Sequence, residues 1–252
     1  MPWNESASTV ITAYADVPQP VRGQVRDLRI RWALEEIGRE YRIDLLDVFS
    51  PRPDSYREWQ PFGQVPAFDD GKQRLFESGA ILLYLGEQDE RLLPADPATR
   101  WQAIAWLFAG LNSIEPFVAQ IGMLDIFQSG KAWASEARPS ALKLVKSRLS
   151  STEKALGERE WLAGAFSLAD IVLVTVLRIL DHTDILESFP VLAAYKARGE
   201  SRPASAGPFR NNSKAAPLPP LPENSHALHR WFRDCRPPCQ QGPVHRPCTG
   251  IR

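Results

Sequence analysis

Two short stretches hold the residues of this chain that can do chemistry together. Pro61-Phe62-Gly63-Gln64-Val65-Pro66 is followed, ten residues on, by Phe76-Glu77-Ser78. A backbone shaped by a Val-Pro bond, set beside a carboxylate and a hydroxyl at the mouth of a helix, can grip a small peptide. Main-chain hydrogen bonds would hold one end, and the free amides of a helix N-terminus the other. Ser78 precedes the apolar run Gly79-Ala80-Ile81-Leu82-Leu83-Tyr84-Leu85. A serine at the N-cap accepts from amides of the first turn, and that end of a helix attracts anions. A cis peptide bond is essentially a proline feature, and the sequence leaves Val65-Pro66 open between cis and trans. The same residues also read more plainly, as a hairpin feeding an ordinary capped helix.

These residues need elements to position them. Val65 to Phe68, then Asp69-Asp70-Gly71-Lys72, then Arg74 to Phe76 read as strand, tight turn, strand. Asp-Gly between apolar runs is a strong hairpin signal, because glycine accepts positive φ without strain. Upstream, Val10 to Tyr14 reads as a first strand. A helix follows from about Gly23 to Gly38, with Leu28, Trp32, Leu34 and Ile37 on its buried side. Glu35-Glu36 is expected on its solvated face. Tyr41 to Leu45 alternates as a half-buried strand should, and residues 51–61 are mostly loop. This order predicts a mixed sheet with helices on both faces over residues 1–87.

Residues 88–97 read as a linker in which Asp96 can cap and Pro97 suits a first helical turn. Residues 98–202 read as an all-helical domain. Trp101, Ile104, Ala105 and Phe108 recur at helical spacing, as do Leu142, Val145 and Leu149 with Leu144. Trp101 and Trp106 could line a substrate pocket, and core packing is their expected role. Ser167 and Asp170 are spaced as a capping box and Phe166 and Ile171 as a hydrophobic staple. The following Ile171 to Leu177 is apolar nearly all round, as a helix at a domain centre is.

Composition narrows the function classes. The chain has 252 residues, 44% apolar and 24% charged, with a formal net charge of zero. That balance gives no bulk attraction to nucleic acid or to an anionic membrane. No apolar run approaches a membrane span, and the N-terminus lacks the regions of a signal peptide, so a cytoplasmic location is expected. The three cysteines, Cys235, Cys239 and Cys248, all fall near the C-terminus. The body therefore cannot run Cys-x-x-Cys redox chemistry or form disulfide staples. Residues 203–252 carry ten of the 22 prolines and seven basic residues against two acidic ones. Such a segment cannot bury enough surface to offset its ordering entropy, so it is expected to be a disordered, removable tail. His226, His229, Cys235, Cys239, His245 and Cys248 within it leave a zinc reading open.

The pattern of Pro61 to Phe68 with Leu75-Phe76-Glu77-Ser78 resembles the glutathione-binding half of the cytosolic glutathione S-transferase family. The Trp161 to Asp170 stretch is similar to that family's second signature, a folding motif. The resemblance covers roughly residues 10 to 200. It implies an α/β thioredoxin-like N-terminal domain plus an all-α C-terminal domain, the glutathione S-transferase fold. Glutathione would be the co-substrate, with no metal, held by Gln64, Val65, Pro66, Glu77 and Ser78. A free thiol has a pKa of about 8.5, so a donor to sulfur is required to favour the nucleophilic thiolate. The family places a Tyr, Ser or Cys just after the first strand. Tyr14 is the first choice here, although it lies eight residues before Arg22 rather than four to six. Arg22, or a backbone amide near the start of the first helix, is the competitor, and Arg22 also reads as a partner of Asp16. The implied activity is conjugation of the glutathione thiolate to a hydrophobic electrophile, with a homodimer as the implied assembly. Glutathione-dependent peroxide reduction or dehalogenation, and a non-catalytic glutathione-binding or assembly role, are the alternatives. The resemblance ends at about Arg202-Pro203-Ala204, which leaves the family's closing helix without an obvious counterpart.

Overall fold

Val10 to Tyr14 is β-branched at its first three positions and forms the central strand β1 (Val10–Tyr14). The structure, a computed structural model, describes residues 2–211. Strand β2 (Arg42–Leu46) runs parallel to β1, with Val10 opposite Arg42 and Tyr14 opposite Leu46. A parallel pair needs a crossover, and helix α1 (Asp27–Glu36) supplies it. Helix α2 (Asp54–Trp59) follows, then the antiparallel hairpin β3 (Ala67–Asp69) and β4 (Arg74–Phe76). The sheet order is β2-β1-β3-β4, with β3 antiparallel to β1. Helix α3 (Ser78–Gly86) leaves directly from β4. At the hairpin tip Gly71 has φ of 80°, and Asp69 and Asp70 accept from the turn amides of Gly71, Lys72 and Gln73 at 2.8–3.0 Å.

The helical half begins at α4 (Pro97–Phe108), where Asp96 accepts from the Thr99 amide at 2.9 Å as the cap. A π-helical turn over Ala109–Ile114 leads into α5 (Glu115–Gly122), and a second over Met123–Phe127 ends it. The long α6 (Ala132–Leu156) and the buried α7 (Leu168–Arg178) follow, then α8 (Pro190–Glu200) and α9 (Pro203–Asn211). Every residue of α7 from Leu168 to Leu177 is buried. Its capping box forms as read from the sequence. Asp170 does more than close that box. Its Oδ1 accepts from the Leu162 amide at 3.0 Å and from the Tyr195 hydroxyl at 2.7 Å. One carboxylate thus fixes the start of α7, the loop before it and α8.

Four expectations change. On α4 Trp101 and Phe108 lie outward, 67% and 48% exposed, while Ile104 and Trp106 pack half-buried against the core and Ala103, Leu107 and, just past the helix, Gly110 are buried. Small residues take the inner face because α7 lies close: a Cβ on Gly110 would stand 2.8 Å from Val172 Cγ1. The stretch Pro97–Phe127 is long and apolar enough, by length and composition, to cross a bilayer. Here it packs Val118 and Ile121 into the helical core. Glu35 and Glu36 are not simply solvated: Glu35 accepts from the Tyr41 hydroxyl at 3.1 Å, and Glu36 takes a two-pronged contact from Arg202 at 2.6 and 2.8 Å.

The fourth change concerns the segment from residue 203. Pro203 starts a helix instead of ending one, since proline lacks only an amide that the first turn does not use. Helix α9 then packs on α1. Phe209 meets Trp32 edge-on with ring centroids 5.6 Å apart, and Arg178 lies 4.0 Å over the Phe209 ring. Residues 212–252, including the six histidines and cysteines named above, lie outside the described residues. Deleting residues 203–252 should therefore lower stability by about 3 kcal/mol or more, because it strips an aromatic partner from Trp32. Denaturant unfolding checks this, and an unchanged midpoint would return the segment to a removable tail.

Candidate functional site

Thr12 and Tyr14 point to the same face of β1, because side chains alternate along a strand. Thr12 is 1% exposed, and its Oγ1 accepts from the Ala67 amide at 2.7 Å. It also meets the Tyr56 hydroxyl of α2 at 2.9 Å, and Tyr56 donates to the Gln64 carbonyl at 2.6 Å. Tyr56 can give its single proton only once, so Thr12 donates to Tyr56. The resulting chain runs from the Ala67 amide through two hydroxyls to Gln64. Burial pushes the Tyr56 phenol up, and it stays a neutral donor. The Gln64 amide is held in turn by Gln60 Oε1 at 3.1 Å.

This clamp fixes the loop that contains Val65-Pro66, whose peptide bond is cis. Val65 is 6% exposed, yet among the described residues neither its amide nor its carbonyl has a partner. Backbone polar groups at so enclosed a residue are ordinarily paired. The loop therefore presents a donor and an acceptor to whatever lies against it. Pairing of β3 with β4 ends at Ala67 opposite Phe76, so Val65-Pro66 directly precede one strand of the hairpin and Glu77-Ser78 directly follow the other.

Glu77 is exposed and is the one non-glycine among the described residues with positive φ, at 68°. That turn places Ser78 as the first helical residue rather than as the N-cap expected from sequence, and no side chain caps α3. Ser78 is 4% exposed, and its Oγ accepts from Arg29 Nη1 at 3.2 Å. Arg29, 2% exposed, also donates from Nε to Thr175 Oγ1 at 2.9 Å and pairs through Nη2 with Glu115 Oε2 at 3.0 Å. Arg26 donates to the other Glu115 oxygen at 2.8 Å. Burial alone would push the Glu115 carboxyl up, but the two arginines outweigh it and hold it below its ordinary value. Burial likewise lowers Arg29, against the opposing pull of Glu115.

The two residues expected to act on sulfur are placed differently. Tyr14 ends β1 with the Arg52 guanidinium 5.3 Å from its ring centroid. Arg52 also donates to the Gly63 carbonyl at 3.2 Å, so Tyr14 lies beside the cis-proline loop. Arg22 instead binds Asp16 at 3.1 Å and the Val17 carbonyl at 3.2 Å, which shapes its own loop. Sequence reading missed Thr12, Arg29, Arg52, Tyr56 and Glu115. Only Arg29 left a signal, as a charge on α1 one residue along from the buried Leu28.

Residues 20–87 match the family described as glutathione S-transferase, N-terminal domain, and residues 114–203 match glutathione S-transferase, C-terminal domain. The chain is 33% identical over 159 residues to glutathione S-transferase F14 of Arabidopsis thaliana, spanning 57% of this chain and 62% of that one. It is 29% identical over 189 residues to glutathione S-transferase P 1 of Xenopus laevis, spanning 73% and 85%. Among solved structures, a Burkholderia graminis glutathione transferase with two glutathione molecules bound per subunit superposes with a TM-score of 0.71 at 26% identity, over 82% of this chain and 89% of that one.

The hairpin tip supports α3 through one carboxylate. Asp70 accepts from Arg39 Nη2 at 2.8 Å and from the Tyr84 hydroxyl of α3 at 2.9 Å, besides the turn amides. Burial opposes its charge, but these donors hold it at about 2 against an ordinary 3.8. A depressed carboxylate stabilises the fold above the unfolded value and loses that contribution as pH falls through the folded one. Asp70→Asn should thus cost about 2 kcal/mol at neutral pH, and the gap to wild type should close between pH of about 4 and about 2. Urea unfolding across that range reads it, and a pH-independent gap would contradict it.

Proposed function

The chain belongs to the glutathione S-transferase family, and on that premise we propose that it conjugates the glutathione thiolate to a hydrophobic electrophile. The observation that carries the reading is the unpaired Val65 amide and carbonyl on the cis loop, which runs into β3 while its partner β4 runs directly into α3. An extended peptide laid along that loop gains two main-chain hydrogen bonds at its cysteinyl unit. Its γ-glutamyl end then reaches Glu77, which pairs the ammonium, and Ser78 with the first amides of α3, which meet the carboxylate. Gln64 flanks the same strand.

The thiol needs a donor, because at neutral pH most of it is protonated. Tyr14 is the hydroxyl the chain offers beside the loop, and its O–H would stabilise the thiolate sulfur. That sulfur attacks an electrophilic carbon, the new S–C bond takes the sulfur lone pair, and the leaving group departs with its own bonding pair. Arg22 serves by holding the Asp16–Arg22 loop that follows β1. The outward stripe of Trp101, Ala105 and Phe108 suits pairing with a second copy, which makes the working unit a homodimer. A cytoplasmic location fits the same reading. One observation favours a second role, glutathione binding without turnover: the Tyr14 ring is already engaged by Arg52, and Arg22 spends its described bonds inside its own loop. Retention on immobilised glutathione without turnover on a panel of aryl halides and peroxides would favour that role.

Ser78→Ala should weaken glutathione binding about tenfold or more, the value of a charge-assisted contact. Calorimetry measures it, and unchanged affinity would remove Ser78 from the site. Tyr14→Phe should leave affinity nearly intact but raise the apparent thiol pKa in the pH dependence of thiolate absorbance. If Arg22→Ala gives that shift and Tyr14→Phe does not, the sulfur donor has been misassigned.

A further inference from the structure

We propose that Arg29 is a positioning residue that forces Ser78 to act as a donor, and so sets the preference of this end of the site for a carboxylate. The proposal rests on the glutathione reading above. A serine hydroxyl has one proton and two lone pairs and can face a ligand either way, whereas a guanidinium only donates. With Arg29 Nη1 at 3.2 Å, Ser78 Oγ accepts from the protein and its proton turns elsewhere.

The neighbouring Thr175 shows what a hydroxyl in that situation does. It accepts from Arg29 Nε at 2.9 Å and returns its own proton to the Ile171 or Val172 carbonyl, at 2.9 and 2.8 Å. Ser78 has no such acceptor among the described residues, although it is 4% exposed. Its proton is left beside the unpaired amides of the first turn of a nine-residue helix. The Ser78 proton and these amides are all donors, so this position favours an anionic oxygen and leaves the ammonium to Glu77. A cationic donor on the oxygen also polarises its O–H bond, which strengthens the hydrogen bond it gives.

Arg29 cannot turn away from this duty. Thr175, Ser78 and Glu115 take its Nε, Nη1 and Nη2, and Arg26 holds Glu115 from the other side. At 2% exposure Arg29 lies out of reach of a ligand and acts through Ser78 alone.

The test is a double-mutant cycle in ligand affinity, read by calorimetry on the full chain. Removing Arg29 alone would leave Glu115 buried and unpaired, so Arg29→Met is combined with Glu115→Gln. Four proteins are compared: wild type, Ser78→Ala, the Arg29→Met/Glu115→Gln pair, and all three changes together. The ligands are glutathione, glutaryl-cysteinylglycine, which keeps the carboxylate and lacks the ammonium, and γ-aminobutyryl-cysteinylglycine, which has the reverse. Ser78→Ala should weaken the two carboxylate ligands about tenfold in wild type. In the Arg29→Met/Glu115→Gln background the same change should cost about twofold or less. The ligand without the carboxylate should register neither change. Equal Ser78→Ala penalties in both backgrounds, or equal weakening of all three ligands by the arginine pair, would overturn the proposal. If that pair does not fold, Arg29→Lys replaces it: it keeps the charge beside Glu115 but cannot serve three partners, so the carboxylate preference should fall. A preserved preference overturns the proposal equally. Wild type that binds no glutathione would instead overturn the underlying functional reading.

Discussion

A guanidinium buried to 2% exposure has to be answered from several sides at once, and Arg29 imposes that requirement on the centre of this protein. An unpaired charge at such depth costs several kcal/mol. Its answers come from Glu115 of α5, Thr175 of α7 and Ser78 of α3. Three helices from two differently built halves must therefore lie within hydrogen-bond reach of one side chain of α1. The π-helical turn of Ala109–Ile114 ends directly before Glu115, where it shifts the phase of the helix that follows. The same turn sets Leu111 so close to Gly79 that a Cβ there would stand 2.5 Å from Leu111 Cδ1. The start of α3 is thus fixed by packing on one side and by charge on the other. A binding surface at that point inherits the rigidity of the core.

What the sequence disclosed of the fold divides along the range of the forces involved. Val10 to Tyr14 as a strand, the Asp69–Lys72 turn, the Asp96 cap and the Ser167–Asp170 box follow from neighbours a few residues apart. Those rules act locally and survive folding unchanged. The facing of α4 does not, because a helix with two apolar stripes has two consistent ways to sit. Ala103, Leu107 and Gly110 win the inner face through the close approach of α7, which periodicity alone does not encode. Helix α9 was hidden for a related reason. Its composition argues against a core, and Trp32 and Arg178, earlier in the sequence, give Phe209 something to pack on, just past the Arg202 that Glu36 and Phe166 hold.

The site was legible where it is made of consecutive residues and illegible where it is made of contacts. The spacing of Val65-Pro66 and Glu77-Ser78 marked the edge that the proposed reading uses, and the β3–β4 hairpin joins the two pieces. The supports of that edge come from afar: Thr12 reaches Ala67 across 55 positions, and Arg29 reaches Ser78 across 49. Thr12 and Tyr56 look like ordinary strand and helix residues until they meet. The part of Ser78 was misread in one respect. Glu77 takes the left-handed turn, so the hydroxyl does not cap its own helix and is free for another partner.

On the proposed function, these supports separate the gripping of a ligand from the chemistry done on it. The edge that grips is mostly backbone, and each of its parts is tied to a buried group: Gln64 through Tyr56 to Thr12, and Ser78 through Arg29 to Glu115. Such an arrangement costs little to keep in order at the moment of binding, because its entropy was lost on folding. The sulfur chemistry has a thinner basis. On the proposed reading it depends on one ring at the end of β1, which faces Arg52, whose other bonds go to the carbonyls of Gly63, Asp47 and Ser50. Of those three, only Gly63 belongs to the binding edge. A change in the 47–52 loop can therefore move Tyr14 while the peptide grip stays whole. On the proposed reading, such a site can lose or gain its turnover without rebuilding its affinity, and the residues that decide between the two lie in the loop around Arg52 rather than at Glu77 and Ser78.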